Sequence, residues 1–576
     1  MEQSAFFRHL TDNSQESIYL PLVQACDRLI DEAGDPTYAL SLTDRPSQSC
    51  PPDPKNHKEA MSLADRAEWR EAERCEIDGL RQQGCFEVCD CPEGVKPLCT
   101  TMVYKYKWNA DQSLKCRKCR LCIRGDMQTE GVNCFKHLTL SSVLNCNENS
   151  VLLSLAACNG WHIFQYDITQ AFTYGSLHGL DIFCYPPPGM DVPPGKILKL
   201  RRSVYGLKQA PAAFKEVLTD FFKTEGFTPC NDAHTVWIKR VGDAFLIHGV
   251  FVDDVLHLTN DLPLYQSFRT AFQNRFQIKD DDQVDVYLGN RLQVNRLAGT
   301  VSMDQTHYVQ SILDKYEMSQ TNGKSTPIAA RLSARDQPST MDSVKQEEYR
   351  AVVGALLYVA MWTRPDIAFA VSDLSRFVSN PGHSHVEASK RVLRYLQSTK
   401  SLGLTYSRPS DTATHPPNVL WGYVDSDWAG CPDTRRSTTG FVLMLNGAAV
   451  SWRSKRQSSV ALSTAEAEFV AVSVLVQEVI SIRKLLHSLG FPQLAPTPIY
   501  EDNESCIAWS EGSVGGSARA KHIDLRQHFV HDAVAAKILA LRKIDTKFNA
   551  ADMLTKPLPR DPIANHRQHV MGIPRS

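Results

Sequence analysis

Short stretches in which apolar and polar positions alternate run through the chain, separated by longer stretches with the helical period. Residues 103–107, 163–168, 244–251 and 255–258 carry the alternating or β-branched and aromatic pattern of strands. Residues 57–80, with Trp69, Ala72 and Ile77 set among charges, predict a helix, as do 152–157, 212–222, 348–362 and 385–396. Residues 262–330 predict helix, strand and helix, and Thr363-Arg364-Pro365 breaks the two helices that follow. Near the C-terminus the pattern returns to strands. Residues 420–424 end on Asp425, and 441–445 and 449–452 flank Asn446-Gly447, a favourable two-residue hairpin turn. A further strand is expected at 459–462, then a helix from Ser463-Thr464, a strand ending on Glu501-Asp502, and a last strand at 538–544. The Pro-rich stretches 46–54 and 409–417 read as linkers, and there is no internal repeat.

The strand ends are where the chemistry gathers. Asp253 and Asp254 fall at the tip of a hairpin, and Asp167 ends a preceding strand. Adjacent carboxylates repel one another unless positive charge sits between them. A divalent cation is one solution, and an ordinary solvated turn is the other. A second acidic set, Asp425 and Asp427, Glu466 and Glu468, Asp502 and Asp552, lies at or near the ends of the C-terminal elements. Glu466 and Glu468 stand in the first turn of a helix, where carboxylates also suit the dipole.

Composition adds limits. A chain of 576 residues, 43% hydrophobic and 22% charged, is too long for one core and suggests several domains. No apolar run approaches the roughly 18–20 residues of a membrane span, and residues 1–10 lack the pattern of a secretory signal. Net charge is −1, so any nucleic-acid affinity must come from a locally basic cleft. Ten of the 17 cysteines lie between Cys75 and Cys146, including Cys116, Cys119 and Cys122 at three-residue intervals. These are reduced thiols or, at that spacing, ligands for zinc or an iron–sulfur cluster.

Asp167-Ile168-Thr169-Gln170-Ala171-Phe172, Tyr205-Gly206-Leu207-Lys208-Gln209-Ala210-Pro211 and Phe251-Val252-Asp253-Asp254 follow one another. Tyr287-Leu288-Gly289, Ser325-Thr326-Pro327 and Thr363-Arg364-Pro365-Asp366-Ile367 come after them. In order and spacing these blocks resemble the reverse transcriptase of copia-type LTR retrotransposons, part of a Pol polyprotein. The resemblance runs on through Arg435-Arg436-Ser437-Thr438-Thr439-Gly440, Ser451-Trp452-Arg453-Ser454-Lys455, Ser463-Thr464-Ala465-Glu466-Ala467-Glu468 and Lys521-His522-Ile523-Asp524. It covers roughly residues 58–560.

The resemblance implies an α+β architecture, a right-hand polymerase followed by a connecting region and a ribonuclease H-like domain. The expected divisions are a leader over 1–57, fingers and palm over 58–260, a thumb-like part over 261–330, a helical connection and linker over 331–417, the ribonuclease H-like domain over 418–560, and a tail over 561–576. The implied activity is RNA- and DNA-directed DNA polymerisation coupled to hydrolysis of RNA–DNA hybrids, with two Mg²⁺ ions per site that Mn²⁺ can replace. Asp167, Asp253 and Asp254 would hold the first pair of ions; Asp425, Glu468, Asp502 and Asp552 would hold the second. Motif registration alone separates these from Asp427 and Glu466. Phe172 resembles an aromatic steric gate against the ribose 2′-hydroxyl, and Gln209 a contact to the incoming nucleotide. Lys118 and Arg120 resemble a triphosphate grip. His522 is either an accessory residue or a structural hydrogen-bonding group. Implied partners are an RNA template, a DNA primer–template, RNA–DNA hybrid and dNTPs, with no membrane and with oligomeric state left open. The implied location is intracellular, in a cytoplasmic particle or the nucleus. Capsid, protease and integrase regions expected upstream are missing, so the chain reads as a processed-like product or a truncated gene model.

The sequence departs from the family pattern mainly in the expected fingers. Phe251 replaces a Tyr, Ala212 and Phe214 replace Arg and Trp, Thr139-Leu140-Ser141-Ser142-Val143 replaces Thr-Phe-Ser-Pro-Val, no Arg follows near Ser150, and Cys119 and Cys122 stand at positions usually Ala and Val. Two other readings therefore stay open: a non-catalytic nucleic-acid-binding remnant, and a nuclease alone.

Overall fold

The structure is a computed structural model. It describes residues 51–573 apart from 109–112, 136–137, 140, 282–283, 337–342, 411–413 and 513–520. Of the leader expected over 1–57, residues 1–50 lie outside the described residues, as does the turn at 109–111. The end of that leader is fastened down: Asp53 accepts the Tyr106 N–H at 2.9 Å and pairs with Lys105 at 3.2 Å.

The helix expected over 57–80 is two, His57–Ser62 and Arg66–Gln82. The second buries Trp69, Ile77 and Leu80 against a hairpin formed by Thr100–Trp108 and Leu114–Ile123. Period two on Leu114–Ile123 sends Cys119 into the core and leaves Lys118 and Arg120 together on the other face.

A six-stranded antiparallel sheet forms the middle of the molecule, in the order Ile278–Asp281, His162–Ile168, Asp254–Thr259, Ala244–Phe251, Val236–Val241, Thr228–Pro229. Alternation along its strands divides two cores. Tyr166, Leu246, Val250 and Val255 face an aromatic cluster beneath helices Ala210–Thr224 and Leu262–Arg275. Ile163, Ile247, Leu256 and Leu258 face helix Cys146–Asn159. That helix starts in a capping box between Asn145 and Glu148 and stops at Gly160, whose φ of 69° is the left-handed conformation glycine tolerates. Its approach is close: a Cβ on Gly249 would lie 3.1 Å from Leu152 Cδ1.

Between the helices expected within 262–330 there is more than one strand. Ile278–Asp281 joins the central sheet beside Asp167. Val286–Tyr287, Asn290–Asn295 and Thr300–Asp304 form a second sheet, completed by Gly403–Ser407 from much later in the chain. Helices Thr306–Lys315, Ser343–Trp362, Ala368–Ser375 and His383–Ser398 pack around a core of their own.

The C-terminal sheet has five strands in the order Ala448–Arg456, Thr438–Leu445, Trp421–Asp427, Thr497–Glu501, Leu539–Lys543; the first three are antiparallel and the last two parallel. Asn446 and Gly447 both have positive φ, as the predicted turn requires. The strand expected at 459–462 does not form. Ala461 is buried, but Val460 and Leu462 stay 47% and 84% exposed with no sheet position to occupy. Nor is the stretch after 560 a free tail: helix Arg560–Val570 buries Ile563 and Val570, and Arg567 donates to the Tyr395 hydroxyl at 2.9 Å.

The central and C-terminal sheets share one core through helix Cys146–Asn159, buried on every side from Asn149 to Cys158. Leu152 meets the central sheet. Ser154 donates to Leu445 O at 3.1 Å and accepts from Asn446, and Asn147 donates to Glu478 at 2.7 Å. Leu152→Ala is expected to cost about 2–5 kcal/mol. In calorimetry both sheets should still unfold in one transition, since both lose the same support.

Candidate active sites

The register of the central sheet brings three carboxylates to one end. Asp254 is paired across the sheet with Asp167 on one side and Phe251 on the other. Val252 takes a φ of 54° to turn the chain so tightly, and the Asp253 carbonyl accepts the Ile168 N–H at 3.0 Å. Burial, and then the neighbouring Asp167, raise the Asp253 pKa, opposed by Arg120 and Lys118. Burial and Asp253 push Asp254 up to about 7, although Gln165 donates to it at 3.1 Å. Three acids are thus held together against their own repulsion, the electrostatic complement of a cation.

Basic groups stand opposite. Lys118 is pushed down to about 8, first by burial and then by Arg120 and Lys279. Lys279, across the edge of the sheet from Asp167, lies 3.6 Å from its carboxylate. The Arg120 guanidinium sits over the Tyr205 ring at 5.2 Å, and Phe172 meets the same ring edge-on at 4.7 Å. Phe172 is therefore braced in the short helical turn Ala171–Tyr174. Gln209 is not a free contact. It is buried, its side-chain carbonyl accepts from Gln128 at 3.0 Å, and its amide donates to Asn133 O at 3.4 Å.

The C-terminal acids converge more tightly. Asp425, Asp502 and Asp552 offer oxygens that lie within 4.8 Å of one another, and so do Glu468, Glu501 and Asp502. Asp425 comes from the central strand, Glu468 from helix Thr464–Ser488, Asp502 from just past Thr497–Glu501, and Asp552 from the short turn Ala550–Leu554. Burial raises Asp425 and Glu468, and burial together with Asp425 pushes Asp552 up to about 7. Lys556 lies 2.7 Å from Asp552, and Thr555 donates to Asp425.

Geometry also separates the neighbours that motif registration left close. Asp427 is tied to Arg331 and to the Thr438 N–H. Glu466 accepts the Leu462 N–H at 2.8 Å, and its own N–H donates to Ser463, so it belongs to the helix cap. Helix Lys521–Ala535 carries His522, whose side chain lies outside the described residues. The Cys116-Cys119-Cys122 set is not gathered: on a strand this spacing puts Cys119 on the opposite face from the other two, and among the described residues no cysteine joins a metal-sized cluster.

Residues 83–330 match the family model described as reverse transcriptase (RNA-dependent DNA polymerase). The Pol polyprotein of transposon TNT 1-94 from Nicotiana tabacum is 34% identical over 91% of this chain, which spans 39% of that relative's length. A putative transposon Ty5-1 protein of Saccharomyces cerevisiae is 30% identical over its whole length and 54% of this chain. The chain belongs to the copia-type retrotransposon reverse transcriptases. A foamy viral protease–reverse transcriptase solved with double-stranded DNA aligns at 10% identity, with a TM-score of 0.44, over 92% of this chain and 82% of its own.

Within this chain the matched segment holds Asp167, Asp253, Asp254 and the basic groups facing them. Four participants escaped the sequence reading: Tyr205, Lys279, Lys556 and Glu501. Only Glu501 left a local signal, an acid two residues from Ile499 and so on the strand's buried face. No helix among the described residues is long and apolar enough to cross a membrane.

The raised Asp254 pKa has a sign. The unfolded carboxyl loses its proton near pH 4 and the folded one near 7, so metal-free stability falls as pH rises through that interval. Asp254→Asn should therefore stabilise the metal-free protein at pH 8 and leave it unchanged at pH 3. Urea midpoints at the two pH values, in chelator, check this.

Proposed function

We propose that this chain is an RNA- and DNA-directed DNA polymerase with an associated ribonuclease H that cleaves RNA–DNA hybrids. The observation that carries the reading is the register that sets Asp254 beside Asp167 at the end of the central sheet, with Asp253 in the same turn and cationic side chains facing them. In this reading residues 58–260 are fingers and palm, 261–330 thumb-like, 331–417 connection, and 418–560 ribonuclease H.

The C-terminal donor set fits Mg²⁺ or Mn²⁺: its groups are carboxylates within reach of one another, and Glu468 keeps a buried oxygen with no hydrogen-bond partner; the central set supplies carboxylates of the same kind. Two such ions per site supply a polarised nucleophile and a stabilised leaving oxygen. Asp167, Asp253 and Asp254 would hold one pair, and Asp425, Glu468, Asp502 and Asp552 the other. Lys118 and Arg120 face these acids with positive charge suited to the triphosphate of a dNTP. Phe172, braced by Tyr205, stands as the wall against a 2′-hydroxyl. Gln209 acts by anchoring Gln128 and Asn133, which shapes the approach to the turn. The RNA template, DNA primer–template and hybrid are held through their backbones, with little base readout.

The second reading, a nuclease alone, is favoured by one observation. Among the described residues, acids within metal-binding reach of one another occur only in the C-terminal domain.

Primer extension and hybrid cleavage, measured on one preparation with Mg²⁺, separate the readings. Asp253→Asn with Asp254→Asn should lower extension at least about a thousandfold, the loss of several kcal/mol of charge stabilisation, and spare cleavage. Asp502→Asn should do the reverse. Cleavage without extension in the parent protein would select the nuclease reading. Phe172→Val should reduce discrimination against ribonucleotides by about tenfold or more, read from incorporation of matched NTP and dNTP pairs; unchanged discrimination would remove the gate assignment.

A further inference from the structure

Glu501 is the least expected acid in the protein. It ends strand Thr497–Glu501 on the buried face, with 0% of its surface exposed. Its Oε1 accepts the Asn503 N–H at 2.9 Å, and its Oε2 has no partner. Glu468, 6% exposed, likewise keeps a buried Oε2 without a partner. These two side chains and Asp502 bring one oxygen each within 4.8 Å of one another. A buried carboxylate with an unmatched oxygen is costly, and two side by side are more so unless a cation completes them.

The two halves of the C-terminal cluster differ in how their charge is met. Asp425 and Asp552 have protein partners, Thr555 and Lys556, and Lys556 is an ion-pair partner of Asp552 at 2.7 Å. Neither Glu468 nor Glu501 has an ion-pair partner among the described residues. Lys556 acts on Glu468 through space but is paired with Asp552, and the buried thiol of Cys506 beside both glutamates supplies no positive charge.

We infer that Glu501 is a ligand, making Glu468, Glu501 and Asp502 a three-carboxylate subsite for a hard divalent cation beside the Asp425–Asp502–Asp552 group. The inference rests on the proposed nuclease reading for the remainder of the cluster and adds a fifth carboxylate to it. Both groups offer three carboxylates, but Asp552 in the neighbouring group is already countered by Lys556, and affinity for a divalent ion follows the uncompensated ligand charge. This subsite should therefore be the tighter of the two and should fill in the absence of nucleic acid.

The test uses the full chain carrying Asp253→Asn and Asp254→Asn, so that only the C-terminal acids bind, with Mn²⁺ alone as the probe. Electron paramagnetic resonance titration should show a tight ion whose affinity falls about tenfold or more in Glu501→Gln and is unchanged in Glu466→Gln, where the altered acid belongs to the helix cap. Thermal melts supply a second readout. In chelator, Glu501→Gln should melt above its parent, because repulsion is relieved, and it should gain less on adding Mn²⁺. Unchanged Mn²⁺ affinity in Glu501→Gln, or a lower melt in chelator with the full Mn²⁺ gain, would overturn the assignment and make Glu501 structural. Hybrid cleavage separates this from the nuclease reading. Absence of hybrid cleavage in the parent protein removes that reading while leaving a Glu501-dependent Mn²⁺ site in place.

Discussion

Helix Cys146–Asn159 has no solvent face from Asn149 to Cys158, and a helix buried on every side fixes whatever packs against it. One side meets the sheet that ends in Asp167 and Asp254; the other meets the hairpin around Asn446 in the sheet that carries Asp425. The two acidic centres are therefore set on a common core. Further bonds tie the assembly: Arg240 donates to Leu489 O at 2.7 Å, and the Trp452 indole donates to Ala360 O at 2.9 Å. A chain of this length would ordinarily divide into separately packed units. Here one hydrophobic core runs from the central sheet to the C-terminal sheet, while the hairpin, the aromatic cluster and the helices after Thr306 keep cores of their own.

That continuity was not legible in the sequence. The stretch 152–157 reads as an apolar helix, but periodicity cannot say that such a helix has two sheets to cover rather than one. The strands and most acids were legible, because alternation identifies a strand and its end is where a polar side chain can leave the core. Asp167, Asp253, Asp254 and Asp502 occupy such places, whereas Asp425, expected at a strand end, lies buried two residues inside Trp421–Asp427. Ile278–Asp281 and Gly403–Ser407 were not found because they are short and complete sheets begun far away in sequence. Residues 459–462 gave the opposite failure: an apolar run with strand composition but no sheet position left to occupy.

The departures from the family pattern take on a physical meaning once faces are assigned. Cys119 sits on the buried face of its strand, where a thiol behaves as a small hydrophobe, and the hairpin pairs from Thr100 to Trp108 despite it. Phe214 and Ala212 lie on the buried face of Ala210–Thr224, and Phe214 packs edge-on against Phe276. Phe251 lacks a hydroxyl, yet its backbone still pairs with Asp254 and positions the turn. What these substitutions alter is core filling; Lys118 and Arg120 keep their places on the opposite face.

Both centres rest on the same electrostatic arrangement, and the difference between them is instructive. In the central sheet the acids are opposed by Lys279 across the sheet edge and by Lys118 and Arg120 on a separate hairpin, so part of the charge balance depends on how that hairpin sits over the turn. In the C-terminal sheet the counter-charge is built in, since Lys556 lies four residues after Asp552 and moves with it. The second centre holds its acids in a rigid frame whose remaining unbalanced charge is concentrated at Glu468 and Glu501. A site of the first kind is completed largely by what it binds, and one of the second kind largely by its own fold.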